Sequence, residues 1–407
     1  MSRTVLLIGT LDTKGAEYEY LRDRLVDAGV DVLLADVGTL EPPTTEPDIS
    51  REEVAAGTGA DPGGLAAAGD RGAAVTAMAD AAAVLVRRLH EEGRIDGVLA
   101  AGGSGNTAIA TRAMLALPVG VPKLMVSTMA AGDVRDYVGS RDVTMMASVT
   151  DVAGVNPISA RVLANAAAAM AGMVSAPPVE VETDRPLIGV TMFGVTTPCV
   201  TAAREELERR GYEPVVFHAT GVGGQSMEAL MESGFLHGAL DTTTTELCDD
   251  LVGGVLSAGP DRLETAGRLG IPQVVSLGAL DMVNFGARET VPDRFESRNL
   301  LVHNPVVTLM RTTAEECAEL GRRIAAKLSA ATGPTALFVP LRGVSMIDAE
   351  GQPFWDPEAD AALFSALRDG LGDAVELHEL DLQMNDPEFA VAMVAKLDEY
   401  MEAGGPR

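Results

Sequence analysis

The chain states one structural plan twice. Residues 4–38, TVLLIGTLDTKGAEYEYLRDRLVDAGVDVLLADVG, read as a buried strand, a turn, a helix closed by Gly29 and a second buried strand. Residues 186–224, PLIGVTMFGVTTPCVTAAREELERRGYEPVVFHATGVGG, repeat that order, with Gly211 closing the helix. The parallel continues downstream. IDGVLAAGGSGNTAIATRA (95–113) matches LHGALDTTTTELCDDLVGG (236–254), and VPKLMVSTMAAGD (121–133) matches IPQVVSLGALDMVNFG (271–286). The strands are continuous apolar runs, as in parallel sheets covered on both faces. Regular strand–helix alternation then predicts two doubly wound α/β domains related by duplication, 1–180 and 185–407, around the linker SAPPVEVETDRP. Ligands of such sheets bind beyond the carboxyl ends of the strands, near a switch in strand order. With two domains in tandem, the cleft between them is the expected site.

Composition narrows the partners. Fifty-nine Asp and Glu against 31 Lys and Arg give a net charge of −28, which opposes nucleic-acid binding. The three cysteines, Cys199, Cys248 and Cys317, are far apart and form no metal or disulfide pattern. The sequence has no signal-peptide pattern and no apolar run near the roughly 20 residues that span a bilayer. A cytoplasmic protein with no membrane partner is the expectation. Residues 41–72 are rich in Pro, Gly and Asp and read as a long, mobile excursion.

GGSGNT, Gly102 to Thr107, follows a buried strand and opens a helix expected from about Thr107. Glycines let backbone N–H groups approach anionic oxygens, and the helix start adds donors and a positive dipole end. Ser104, Asn106 and Thr107 offer side-chain donors. Gly102, Gly103, Ser104, Gly105, Asn106 and Thr107 are therefore the candidate phosphate cradle. The pattern is neither the Walker loop nor the dinucleotide fingerprint, and a ligand-free tight turn is the alternative. GTLDTKG ends the first strand at the same rim, so Asp12, Thr13 and Lys14 would meet a ribose, phosphate or metal, or else cap the next helix.

In the second half, HATGVGGQSMEAL is a second possible anion cradle, with Gln225, Ser226 and Glu228 at a helix start, and the Thr242–Thr245 run reads mainly as a helix cap. Asp281, His303, Glu246 and Asp241 suit acid–base or divalent-metal chemistry if the fold gathers them. Arg311 and Arg342 suit a carboxylate or phosphate clamp. His303, Asp281 and Arg311 are the catalytic candidates. His-Asn-Pro at 303–305 is also a good helix-start cap. Cys199, at a helix start, is a nucleophile candidate against the commoner reading as a small buried hydrophobe.

GTLDTKG, GGSGNT, MMASVTDVAGVNPIS, FHATGVGGQSME, SLGALDMVNFG and HNPVVTLMRTT, in this order along the whole chain, resemble the Tm-one-type ATP-binding family. The resemblance implies two Rossmann-like domains, binding of ATP or a related nucleotide at GGSGNT and its rim, and a homo-oligomer. Two functions follow as expectations. One is a metabolic enzyme acting on a small phosphorylated or carboxylated substrate. The other is a nucleotide-responsive binding protein without turnover.

Overall fold

The computed structural model describes residues 3–61, 64, 69–177 and 185–404. The chain divides into two compact units, residues 1–181 and 182–407. The first contains β1 (Thr4–Gly9), α1 (Leu11–Asp27), β2 (Asp31–Asp36), α2 (Arg51–Ala56), α3 (Arg71–Glu91), β3 (Gly97–Gly102), α4 (Ser104–Leu115), β4 (Lys123–Ser127), α5 (Arg135–Val138), β5 (Thr144–Ala147) and α6 (Pro157–Ser175). Its five strands are all parallel, in the order β2-β1-β3-β4-β5. Leu21 and Leu25 of α1 pack with Leu163 and Met170 of α6 on one face; Met78 and Leu85 of α3 pack with Ile109 and Met114 of α4 on the other. The strand order reverses between β1 and β3, which places a crevice beyond their carboxyl ends.

The second unit contains β6 (Leu187–Met192), α7 (Thr197–Arg209), β7 (Glu213–His218), α8 (Val222–Glu232), β8 (Gly238–Thr243), α9 (Glu246–Val252), α10 (Thr265–Leu269) and β9 (Gln273–Gly278). There follow β10 (Met282–Phe285), β11 (Leu300–Asn304), β12 (Val307–Arg311), α11 (Ala314–Ser329), β13 (Thr335–Pro340), α12 (Pro357–Gly370), β14 (Val375–Leu380) and α13 (Pro387–Ala403). The main sheet runs β7-β6-β8-β9-β13-β14. Its strands thus follow the order of the first unit, with a sixth strand added at one edge. Both units are Rossmann-like α/β sheets.

Three expectations are corrected. The 41–72 excursion holds a short helix, α2, started by a reciprocal cap between Ser50 and Glu53; residues 62–63 and 65–68 of that stretch lie outside the described ones. His303-Asn304-Pro305 starts no helix. It lies at the tip of the β11–β12 hairpin, within a three-stranded antiparallel sheet that alternation of strands and helices did not announce. And α6, at 19 residues, is long and apolar enough by composition to cross a membrane. Leu163, Ala166, Ala167, Met170 and Val174 are nonetheless buried against the first sheet, as in a core helix.

Candidate functional site

Helix α4 begins three residues earlier than expected, at Ser104, with Gly103 as its N-cap. No side chain caps it. The N–H groups of Gly103, Ser104, Gly105 and Asn106 precede the first helical bond, which Thr107 N–H donates to the Gly103 carbonyl at 2.9 Å. Ser104 is exposed, and Gly103 and Gly105 are half-buried. A Cβ on Gly103 would find nothing nearer than the Thr128 hydroxyl, 3.9 Å away, and one on Gly105 would lie 4.0 Å from the Arg71 guanidinium. The corner is open and has a cation beside it.

The side chains of this turn work differently from the sequence expectation. Asn106 is buried, and its amide Nδ2 donates to the Tyr18 hydroxyl (2.9 Å) and the Ala101 carbonyl (3.0 Å). Its Oδ1 is buried without a partner among the described residues. Thr107 Oγ1 donates to the Gly103 carbonyl (2.8 Å) and lies 2.6 Å from Ser127 Oγ. Neither side chain is available to a phosphate as first supposed; the backbone N–H groups and Ser104 are what remains. Tyr18, which carried no motif, ties the crevice together. Its hydroxyl donates to the Ile8 carbonyl (2.5 Å) and accepts from Ala101 N–H (2.8 Å), joining β1, β3 and α4.

The β1 rim is largely committed. Asp36, buried at the end of β2, accepts from Leu11 N–H (3.2 Å), Gly38 N–H (2.8 Å) and Arg51 Nε (2.7 Å). The start of α1 therefore already faces a carboxylate of the chain. Asp12 Oδ2 accepts from Leu40 N–H at 3.0 Å and so holds the loop after β2, while Thr13, exposed, donates only locally, to Asp12 Oδ1 at 3.3 Å. Lys14, half-buried at a non-helical kink in α1, is the cation of GTLDTKG that a ligand could meet, beside the exposed Thr13.

The second unit's glycine turn is an anion cradle that the chain fills itself. Gly221 N–H and Gly224 N–H donate to Glu246 Oε1 at 2.7 and 3.0 Å. A Cβ on Gly224 would lie 2.1 Å from Glu246 Oε2, so only glycine allows the approach. Arg262, 2% exposed, donates to Glu246 (2.6 Å), to Asp241 through two nitrogens (2.6 and 2.8 Å) and to Glu228 (3.3 Å). Glu246 and Asp241 are thus paired with a guanidinium instead of poised for a metal. Thr242–Thr245 are fully buried and tie β8 to its neighbours: Thr242 Oγ1 donates to the Thr191 carbonyl of β6 (2.6 Å), Thr244 Oγ1 donates to the Ser276 carbonyl of β9, and Thr243 Oγ1 lies 2.8 Å from Thr196 Oγ1 at the start of α7. They cap nothing.

Asp281 and Arg311 come together, and His303 does not join them. Met282 pairs with Arg311 at one end of the antiparallel sheet, while Asn304 pairs with Val307 at the other. His303 is exposed at that far end, about 13 Å away at strand spacing. Arg311 is buried and donates to Asp360 (2.6 Å), Thr312 Oγ1 (2.8 Å) and the Phe354 carbonyl (2.7 Å). Asp281 accepts from Ser345 Oγ at 2.8 Å. Arg342 is on the surface, paired with Asp381. Cys199 is buried, and burial pushes its thiol up to about 12, which removes the nucleophile reading. Among the described residues no group of three or more His, Cys, Asp or Glu side chains is arranged to hold a metal ion.

The buried acids make stability pH-dependent. Burial, reinforced by Asp348 and opposed by Arg311, raises the Asp360 carboxyl to about 7; burial, opposed by hydrogen bonds from Asn284, raises Asp249 to about 7. Both start from 3.8. Between pH 4 and 7 the native state keeps protons that the unfolded chain has lost, so stability falls as pH rises through that window and levels off above it. The second unit should resist urea better at pH 5 than at pH 7.5. Asp360→Asn should remove about half of the dependence and leave the share of Asp249, and a urea midpoint that rises with pH would refute the assignment.

Comparison with known proteins adds the family. Residues 3–178 match the "Uncharacterised protein family (UPF0261) N-terminal domain" and residues 185–401 the corresponding C-terminal domain. A UPF0261 protein of Clostridium tetani is 51% identical over 403 residues, covering 99% of this chain and all of that one. The ToMV resistance protein Tm-1 of Solanum lycopersicum is 42% identical over 339 residues, covering 82% of this chain and 45% of the tomato protein. Among solved structures, UDP-N-acetylglucosamine 2-epimerase from Rickettsia bellii is similar over 67% of this chain and 78% of that one, at 13% identity and a TM-score of 0.23, too remote to carry an argument. With both domains matched in order and relatives aligned end to end, the chain belongs to the UPF0261 family, alongside the Tm-1 proteins of tomato.

Proposed function

We propose that the first unit binds ATP or a related nucleotide at the Gly103–Asn106 corner, and that the protein is an enzyme acting on a small phosphorylated or carboxylated substrate. The observation that carries this reading is the uncapped, glycine-lined start of α4. It lies at the β1/β3 switch in strand order, with Arg71 beside Gly105 and Lys14 in the first turn of α1, the helix that follows the neighbouring strand. The comparable starts of α1 and α8 face the chain's own Asp36 and Glu246. That contrast supports a ligand's anionic oxygens as the partner of α4. The orphaned Asn106 Oδ1 adds a buried acceptor suited to a water or ligand hydroxyl.

The separation of His303 from Asp281 and Arg311 favours a second reading, a nucleotide-responsive binding protein without turnover. Isothermal titration with ATP and Mg²⁺, followed by a phosphate-release assay, distinguishes the two. Saturable 1:1 binding is the expected result, and no heat or protection at millimolar ATP would refute both. Release of phosphate favours the enzyme, and binding without release over hours the second reading.

A further inference from the structure

The antiparallel sheet of the second unit ends in an open strand. Its order is β10-β12-β11, so β11 has a neighbour on one side only. Register settles which groups face outward. Arg311 N–H donates to the Asn299 carbonyl at 2.9 Å, and Leu301 stands opposite Leu309. Asn299 and Leu301 therefore turn their main-chain groups toward β12, and Leu300 and Val302 turn theirs away. Among the described residues these outward N–H and carbonyl groups meet no hydrogen-bond partner.

Exposed edges are usually blunted by charge, proline or a bulge. Here the bulge falls after Val302, and residues 299–310 hold no charged side chain. The local charge balance is unusual as well. The chain carries −28, yet residues 282–313 contain four arginines against three acids. Two copies of a strongly acidic chain can meet on this sheet without like charges face to face. Apolar side chains stand at both ends of the open strand. Val302 is 55% exposed, and Val306, at the hairpin tip, is 69% exposed. Trp355, the chain's one tryptophan and half exposed, lies at the opposite end. Two contacts place it there: Asn299 Nδ2 donates to the Pro353 carbonyl at 3.0 Å, and Phe354 shares an apolar cluster with Leu301.

We propose that β11 pairs antiparallel with β11 of a second copy of this chain, about a two-fold axis beside Leu301. Leu300 of each copy exchanges its main-chain bonds with Val302 of the other, and two three-stranded sheets become one. Each hairpin tip then runs past Asn299 of the other copy, which brings Val306 to Trp355. An identical copy satisfies both the edge and the two apolar ends, because the symmetry is isologous; a foreign strand satisfies the edge alone. Sedimentation velocity of the full chain, from about 1 to 100 µM, tests the pairing. The expected result is a reversible dimer. Val302→Pro should weaken it at least tenfold and move the melting temperature by less than about 2 °C, since the N–H removed faces outward. Leu301→Cys should give a covalent dimer with diamide, because the two-fold sets this position against itself, and Val306→Cys should not. The native cysteines are all buried and do not compete. A parent that stays monomeric at about 100 µM overturns the proposal, as does a Val302→Pro chain that dimerises like the parent. Cross-linking at Val306 in place of Leu301 overturns it too. If Val302→Pro melts early, the two cysteine variants decide.

Discussion

Replacing Gly103 with valine is expected to abolish ATP binding, by thirtyfold or more, and to leave the fold intact. The backbone there has φ −83° and ψ −167°, which any residue adopts. A Cβ meets no atom within 3.9 Å, so the protein itself has room for the new side chain. The branched methyl groups would fill the space over the α4 N–H groups, where anionic oxygens are proposed to sit. Titration calorimetry and a thermal melt read the two effects separately, with the melting temperature moving by less than about 2 °C for a change this small in stability. Gly102→Ala is the informative contrast. Its Cβ would lie 2.8 Å from Asn106 Cβ, so that variant should lose stability as well as binding. Unchanged affinity in Gly103→Val would move the ligand elsewhere.

Arg262→Met is expected to be the most damaging single change in the second unit. Arg262 holds three buried or nearly buried carboxylates, Asp241, Glu246 and Glu228. Removing one partner of such a network costs about 3–5 kcal/mol, because the remaining charges are left desolvated and unpaired. The variant should unfold the second unit at a melting temperature lower by 10 °C or more, or fail to accumulate. Adding Asp241→Asn and Glu246→Gln should recover more than half of the loss, since the neutral amides keep their acceptor oxygens for Gly221, Gly224 and Thr191 without the buried charge. No recovery in the triple variant would show that packing of the arginine, and not charge balance, is what matters.

Much of the architecture was legible because its signals are local. The strand–turn–helix repeat at 4–38 and 186–224 announced two doubly wound units, and the sheets share one strand order. The glycine-serine turn was legible as a corner, since glycine removes side chains wherever it stands. What failed depends on distant partners. Asn106 looked like a ligand donor until Tyr18, 88 residues away, was seen to take it. Thr242–Thr245 looked like a cap, yet their acceptors lie on β6 and β9. His303 was grouped with Asp281 because both are polar and follow apolar runs, but hairpin register sends them to opposite ends of a sheet. Arg262 had no motif at all. It is identified by the three acids around it.

Glu246 in the glycine turn of α8 has a historical consequence. Once a repeat has installed its own carboxylate there, with a guanidinium to balance it, neither residue can be exchanged first without a defective intermediate. The change acts as a ratchet. The turn of α8 is thereby committed to the scaffold of its own unit.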